Sequence, residues 1–200
     1  MSSTLTVRRS LSSAFAVAGL MLSSIAFAAT PSAGNYKIDP AHSVAYFEIG
    51  HLGGVSRFMG RFNDIAGDLV VDVPEKSKIK VDIKADSIDV KHEALEKHLK
   101  SPDFFNVVQF PMLSFSSTAI TLNAAGEGNV SGNLSMHGVT KPVTLSLKHI
   151  GSGKGMKGEG RVGYVATGTI KRTDFGISYG VPGAATDEIN LHINIEAIKQ

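Results

Sequence analysis

Gly176-Ile177-Ser178-Tyr179-Gly180 spells G-x-S-x-G, the pattern of a serine nucleophile on a strained turn, and Asp187 and His192 follow in triad order. That chemistry needs a strand before the serine and a helix after it, so that the turn lifts the hydroxyl out. Here Pro182 follows closely and no helical periodicity comes next, so a glycine-rich loop accounts for the letters better. His92-Glu93-Ala94-Leu95-Glu96 opens like a zinc helix, but the second histidine required four residues on is Glu96, and His98 lies on another face. An ordinary solvated helix fits the same residues, and no metal site is expected. The chain has no cysteine, which removes a thiolate nucleophile. Asp39, Asp103 and Asp174 each neighbour turn-forming residues, where carboxylates cap backbone amides. The seven histidines are scattered. His51 is the most informative of them, because it continues the same-face set Ala45, Phe47, Ile49. It is either a polar group in an apolar space or a buried histidine bonded to backbone. No convincing reactive set emerges, which argues against an enzyme.

The elements that must position these residues are nearly all strands. Ile79, Val81, Ile83 and Ala85 alternate with Lys80, Asp82 and Lys84, and Ile189, Leu191, Ile193, Ile195 and Ala197 alternate with polar partners. Alternation of this period means one buried and one wet face. Eight such stretches are expected, at 43–52, 56–72 with a break near Gly67, 78–90, 112–121, 128–136, 142–150, 160–171 and 187–198. Most links are short and rich in turn residues, among them His137-Gly138 and the Gly151–Gly158 hairpin tip, which favours antiparallel neighbours. One connection differs. His92 to Leu99 predicts a short helix with Ala94, Leu95, His98 and Leu99 on its inner stripe, and Phe104-Phe105 follows, suited to a lid. About eight antiparallel strands predict closure of a single all-β domain into a barrel. By parity Phe47, Ile49, Phe115, Leu145, Leu147, Tyr164, Leu191 and Ile193 point inward, while Ser114, Ser116, Thr144, Ser146 and Lys148 point outward. Periodicity alone does not separate a filled barrel from a hollow one.

The start of the chain is of another kind. Arg8 and Arg9 precede a largely apolar stretch from Leu11 to Phe27, and Ala26-Phe27-Ala28 fits an A-x-A cleavage site. Residues 1–28 are therefore expected to be a secretory signal peptide and residues 29–200 the mature domain, located in the periplasm with no membrane span. Of the 20 Lys and Arg, two lie in this leader, leaving 18 basic residues against 18 acidic ones. A balanced mature chain carries no basic footprint for nucleic acid.

Several segments, taken in order, carry a family likeness: Tyr36-Lys37-Ile38-Asp39-Pro40-Ala41-His42-Ser43, Phe47-Glu48-Ile49-Gly50-His51, and Phe58-Met59-Gly60-Arg61-Phe62. They continue through His98–Phe105, Gln109-Phe110-Pro111, Phe115-Ser116-Ser117, Gly132–Val143 and Arg172–Ile177. Together they resemble the YceI-like family of exported lipid-binding and polyisoprenoid-binding proteins. Small departures are Lys100, where arginine is usual, and Ser135-Met136-His137. The resemblance implies an extended lipocalin-like antiparallel β-barrel with a short helical insertion. It also implies that the barrel is hollow, with a hydrophobic pocket for a polyisoprenoid, such as an isoprenoid quinone or related long-chain lipid.

On that basis Phe47, Ile49, Phe58, Phe62, Phe115, Leu145, Tyr164 and Ile193 are expected to line or close the apolar tunnel, Phe58 and Phe62 by family matching. His51, with His42 and Arg172, is expected to meet a polar head group. Phe104, Phe105 and the Phe175–Gly183 loop are candidate gates, and the two adjacent phenylalanines serve equally well as core plugs. No cofactor is required. The expected role is a periplasmic binding or carrier protein that sequesters or transports such a lipid. The alternatives are an enzyme acting on a lipid or quinone with His51 as acid or base, and a filled barrel acting through protein contacts. A homodimer would be compatible with a free edge or long loop, but no residue pattern demands it.

Overall fold

The computed structural model describes residues 31–200, so the leader expected at 1–28 lies outside the described residues. The described residues form one antiparallel sheet of eleven strands. These are β1 (Gly34–Ile38), β2 (Val44–His51), β3 (Ser56–Phe62), β4 (Ile65–Val71), β5 (Lys78–Lys84), β6 (Ile88–Asp89), β7 (Met112–Leu122), β8 (Glu127–Met136), β9 (Val139–Lys154), β10 (Gly160–Lys171) and β11 (Ala185–Lys199). Among the described residues there is one α-helix, α1, spanning Glu93–Leu99. Pairing of β1 with β11 closes the sheet.

The eleven strands make eight staves, because the first three staves are each broken once. β1 and β2 both pair with the same edge of β11, β3 and β4 form the next stave, and β5 and β6 the third. The closed eight-stranded antiparallel barrel with one helix is thus the expected architecture. Its breaks differ from expectation in place. The 56–72 stretch is interrupted at Asn63-Asp64, while Gly67 stays in the ladder opposite Val81. The 78–90 stretch is interrupted by a turn at Ala85–Ser87. β1 was absent from the expected set, since five residues carrying Gly34 and Asn35 give too little alternation to detect.

Side chains divide as the period demands. Ile65, Leu69, Val130, Leu147, Val162, Ile195 and Ala197 are buried in one cluster at the closed end, and Phe62, Ile88, Met136, Ile170, Phe175 and Ile177 form a second toward the other end. Two-residue reversals follow the twist of the strands: His137 (φ 52°) and Gly138 (φ 75°) make the primed turn between β8 and β9. A Cβ at Gly138 would come within 2.5 Å of the Phe110 ring, so this glycine also seats the end of the helical insertion.

The seam where β1 gives way to β2 is held by side chains. The Ser43 hydroxyl donates to the Glu196 carbonyl at 3.1 Å and accepts from the Glu196 amide at 3.0 Å, replacing the missing ladder bonds. The Asp39 carboxylate accepts from Arg161 Nη1 at 2.8 Å and meets His42 Nδ1 at 2.8 Å. The same guanidinium nitrogen donates to Glu196, and Nε donates to Glu159 at 2.9 Å. The bonds from His42 and then Arg161 hold the Asp39 carboxyl at about 2, below its ordinary 3.8. A carboxyl depressed on folding contributes stability that is fully present above its unfolded value and is lost as pH falls through the folded one. Asp39→Asn is therefore expected to lower Tm at neutral pH. The wild-type advantage should shrink between pH 3.8 and about 2, where the two curves converge, as thermal melts across that range would show.

Candidate ligand cavity

The inward residues of the barrel do not meet in the middle. They enclose a cavity of about 650 Å³. At its closed end lie Leu69, Ile79, Val130, Leu147 and Ile195, all buried. Phe47, Ile49, Phe115, Leu145, Tyr164 and Ile193 line the wall, each contributed by the inward parity of its strand. Above them the third stave and β7 part company. β6 pairs with β3 and β5 with β7, and no ladder joins β6 to β7. The insertion fills that gap: Leu95 and Leu99 of α1, then Phe104 and Phe105, complete the wall together with Phe58 and Phe62. Phe105 meets Phe62 edge to face at 5.5 Å, and Phe104 packs at 5.0 Å from His98 and 5.2 Å from Tyr179.

Glycines give the wall its room. A Cβ on Gly60 would sit 2.5 Å from the ring of Phe47, directly across the ladder, and one on Gly132 would sit 2.5 Å from the ring of Phe115. Each ring lies over a bare patch of backbone instead of projecting across the interior.

Polar groups gather at the open end. His51, His92, His98 and Tyr179 rim the mouth, with the apolar Ala184 beside them. His92 caps α1, its Nδ1 accepting from the Leu95 amide at 3.1 Å, so its Nε2 carries the hydrogen. His98 Nε2 pairs with Asp103 at 2.9 Å. On the wall, burial pushes the Tyr164 hydroxyl up to about 12.

A model of the YceI-like domain matches residues 36–197. The chain belongs to the YceI-like family. It is 40% identical over 189 residues to a UPF0312 protein of Pseudomonas aeruginosa, with 92% of this chain and 97% of that one covered. Among solved structures, the Campylobacter jejuni YCEI protein aligns with TM-score 0.65 at 27% identity, covering 73% of this chain and 87% of its own. A polyisoprenoid-binding domain from Saccharophagus degradans aligns with TM-score 0.65 at 12% identity, covering 84% of this chain and all of its own.

In this YceI-like barrel most residues singled out from sequence come to one place. Phe47, Ile49, Phe58, Phe62, Phe104, Phe105, Phe115, Leu145, Tyr164 and Ile193 all line the cavity, and His51 stands at its exposed rim rather than inside. Three residues are placed elsewhere. Phe175 is only 1% exposed and packs in the upper cluster behind the wall, because the turn at Arg172–Phe175 directs it into the core and leaves Tyr179 at the mouth. His42 sits outside the cavity on Asp39 at the β1–β2 seam, with its side chain 60% exposed. Ala94, expected on the inner stripe of α1, faces solvent.

Arg172 touches the cavity but spends its donors on the loop. Nε donates to the Thr186 carbonyl at 3.0 Å, Nη1 to Tyr179 at 2.8 Å and Nη2 to Ala185 at 3.1 Å. Burial pulls its pKa below the ordinary value, with the Asp187 charge opposing. The triad letters stay apart. Asp187 accepts from the amide and hydroxyl of Thr173 at 3.0 and 2.8 Å, and His192 stacks on Tyr46 at 4.9 Å. Asp39, His42 and Glu196 offer three clustered donor atoms, but Arg161 bonds two of these residues and already supplies the cation.

Among the lining residues not singled out from sequence are Leu69, Ile79, Val130 and Ile195; Leu95 and Leu99, expected on the inner stripe of a lid, form wall; and His92, His98 and Tyr179 were not expected as rim. Helical spacing marked the inner stripe, but which strand pair the helix replaces is not encoded locally. Two substitutions test this anatomy. Gly60→Ala should fold yet force Phe47 off its patch into the cavity, weakening uptake of an apolar fluorescent probe about tenfold, since overpacking of this kind costs about 1–3 kcal/mol. Arg172→Leu orphans three carbonyls, and denaturant titration should show a loss of about 2–4 kcal/mol.

Proposed function

We propose that this protein is exported to the periplasm, where it binds the chain of a polyisoprenoid or similar long-chain lipid and carries it through water. The observation that bears this reading is the cavity: about 650 Å³ of apolar space, closed at one end and rimmed by polar groups at the other. Its size sits within the roughly 300–1,000 Å³ range of small-molecule sites. Its shape suits an amphiphile whose tail enters first and whose head stays at the mouth, within reach of His51, His92 and Tyr179. The name of the Saccharophagus degradans structure, a polyisoprenoid-binding domain, agrees with such a guest. The leader sequence, with its paired arginines and A-x-A site, supports the periplasmic setting.

Volume and energy agree on scale. At roughly 30 Å³ per group, the liquid share of a water and close to that of a methylene, the cavity takes about 20 such groups, or about four isoprene units. Burying them yields about 16 kcal/mol gross at about 0.8 kcal/mol each. Ordering and association costs of about 4–15 kcal/mol leave room for affinity near micromolar. That is tight enough to hold a guest that water rejects and loose enough to release it.

Native mass spectrometry of the protein as purified, before and after organic extraction, is expected to show a co-purifying lipid that extraction removes. Competition titrations with prenyl alcohols of increasing length should tighten up to about four units and then level off. A protein that stays empty and takes up none of these chains would overturn the proposal.

A further inference from the structure

Two segments of the cavity rim, Gly50–Ser56 and Phe175–Thr186, contain no Asp, Glu, Lys or Arg. They are stitched together: the Leu52 amide donates to the Ala184 carbonyl at 3.0 Å, and the Gly50 amide to the Thr186 hydroxyl at 3.0 Å. Beside the exposed polar side chains of His51, Ser56 and Ser178, they present large apolar groups to water. Val55 is 83% exposed, Leu52 56% and Tyr179 50%, with Pro182 and Ala184 exposed beside them. Leu52 stands outward at φ 49°, a backbone conformation unfavourable for any residue with a side chain. The other side of the mouth differs, since Lys91, Glu93 and Lys97 around α1 are exposed and charged.

We propose that this charge-free lip docks on the surface of a lipid bilayer, seating the cavity mouth against the membrane so that a guest chain passes between them without crossing water. The inference rests on the carrier reading above. Size selects the occupant. Five side chains on two loop tips make a patch on the order of a few hundred Å², the size of the largest and often functional patch on a typical monomer, and short of the roughly 800 Å² per partner that a stable protein interface buries. Shallow insertion of apolar loop tips needs no such area, and the cavity that opens beside them is itself apolar. The charged α1 side would stay among the head groups.

The chain has no tryptophan, so Val55→Trp in the mature protein gives a single reporter at the lip, and Val73→Trp, 51% exposed in the turn after β4 at the closed end, gives the control. Vesicles of phosphatidylethanolamine and phosphatidylglycerol are expected to shift emission of the first to the blue, with quenching by brominated acyl chains, and to leave the second unmoved. Leu52→Ser/Val55→Ser should lower co-sedimentation with the same vesicles at least about tenfold. Its circular dichroism and its uptake of a soluble apolar probe should match wild type, because neither residue lines the cavity. Unshifted emission from Val55→Trp, or equal shifts from both reporters, would overturn the proposal. Probe uptake is measured apart from vesicle binding, so an empty cavity with an inserting lip would sink the carrier reading alone.

Discussion

Three residue pairs, Tyr36↔Lys199, Lys37↔Ile198 and Ile38↔Ala197, turn an open sheet into a cylinder. Everything else depends on that closure. An open sheet with this many inward apolar side chains would collapse onto itself or onto a second copy, and its free edges would invite pairing. Closed, the sheet spends its backbone hydrogen bonds on its own wall, and the interior no longer has to be filled for the fold to hold. The seam is short, which explains the density of polar contacts beside it. Ser43 supplies ladder bonds that the chain break removes, and Arg161 ties β10 to Asp39 and to β11. The family signature running from Tyr36 to Ser43 is therefore chiefly about the seam and only indirectly about the guest.

The cavity follows from a mismatch between wall and content. Apolar residues of ordinary size line eight staves, yet at two inward positions the strand beside a large ring carries glycine. Phe47 and Phe115 lie back against backbone where they would otherwise reach across. The space this frees is what distinguishes a container from a core.

The staves and their faces were legible because alternation is a local signal. A residue two places from Phe47 shares its face whatever the rest of the chain does, so Ile49, Phe115, Leu145, Tyr164 and Ile193 could be set on the wall by counting. Whether the barrel was hollow could not be counted, and came only with the family resemblance. The failures were of the irregular segments. Phe175 follows a strand by four residues, and only the turn at Arg172–Phe175 decides that it enters the core while Tyr179 reaches the mouth. His42 belongs to a motif, but its partner Asp39 fixes it outside. Arg172 touches the cavity as expected, and its donors go to three carbonyls that lie seven to fourteen residues along the chain, a pattern no spacing rule announces.

The unladdered stretch between β6 and β7 has a consequence for capacity. A hoop whose every stave is hydrogen-bonded to the next has its circumference set by backbone spacing, and it widens only by breaking bonds. Here, at the level of Leu95, Leu99, Phe104 and Phe105, one joint of the hoop is made of side chains. Side chains change rotamer at far lower cost than ladders unzip, so the barrel has a rigid foot and a compliant collar. If the cavity serves as proposed, guests of unequal thickness, or a branched chain entering methyl by methyl, would be gripped by the same collar without remaking the foot.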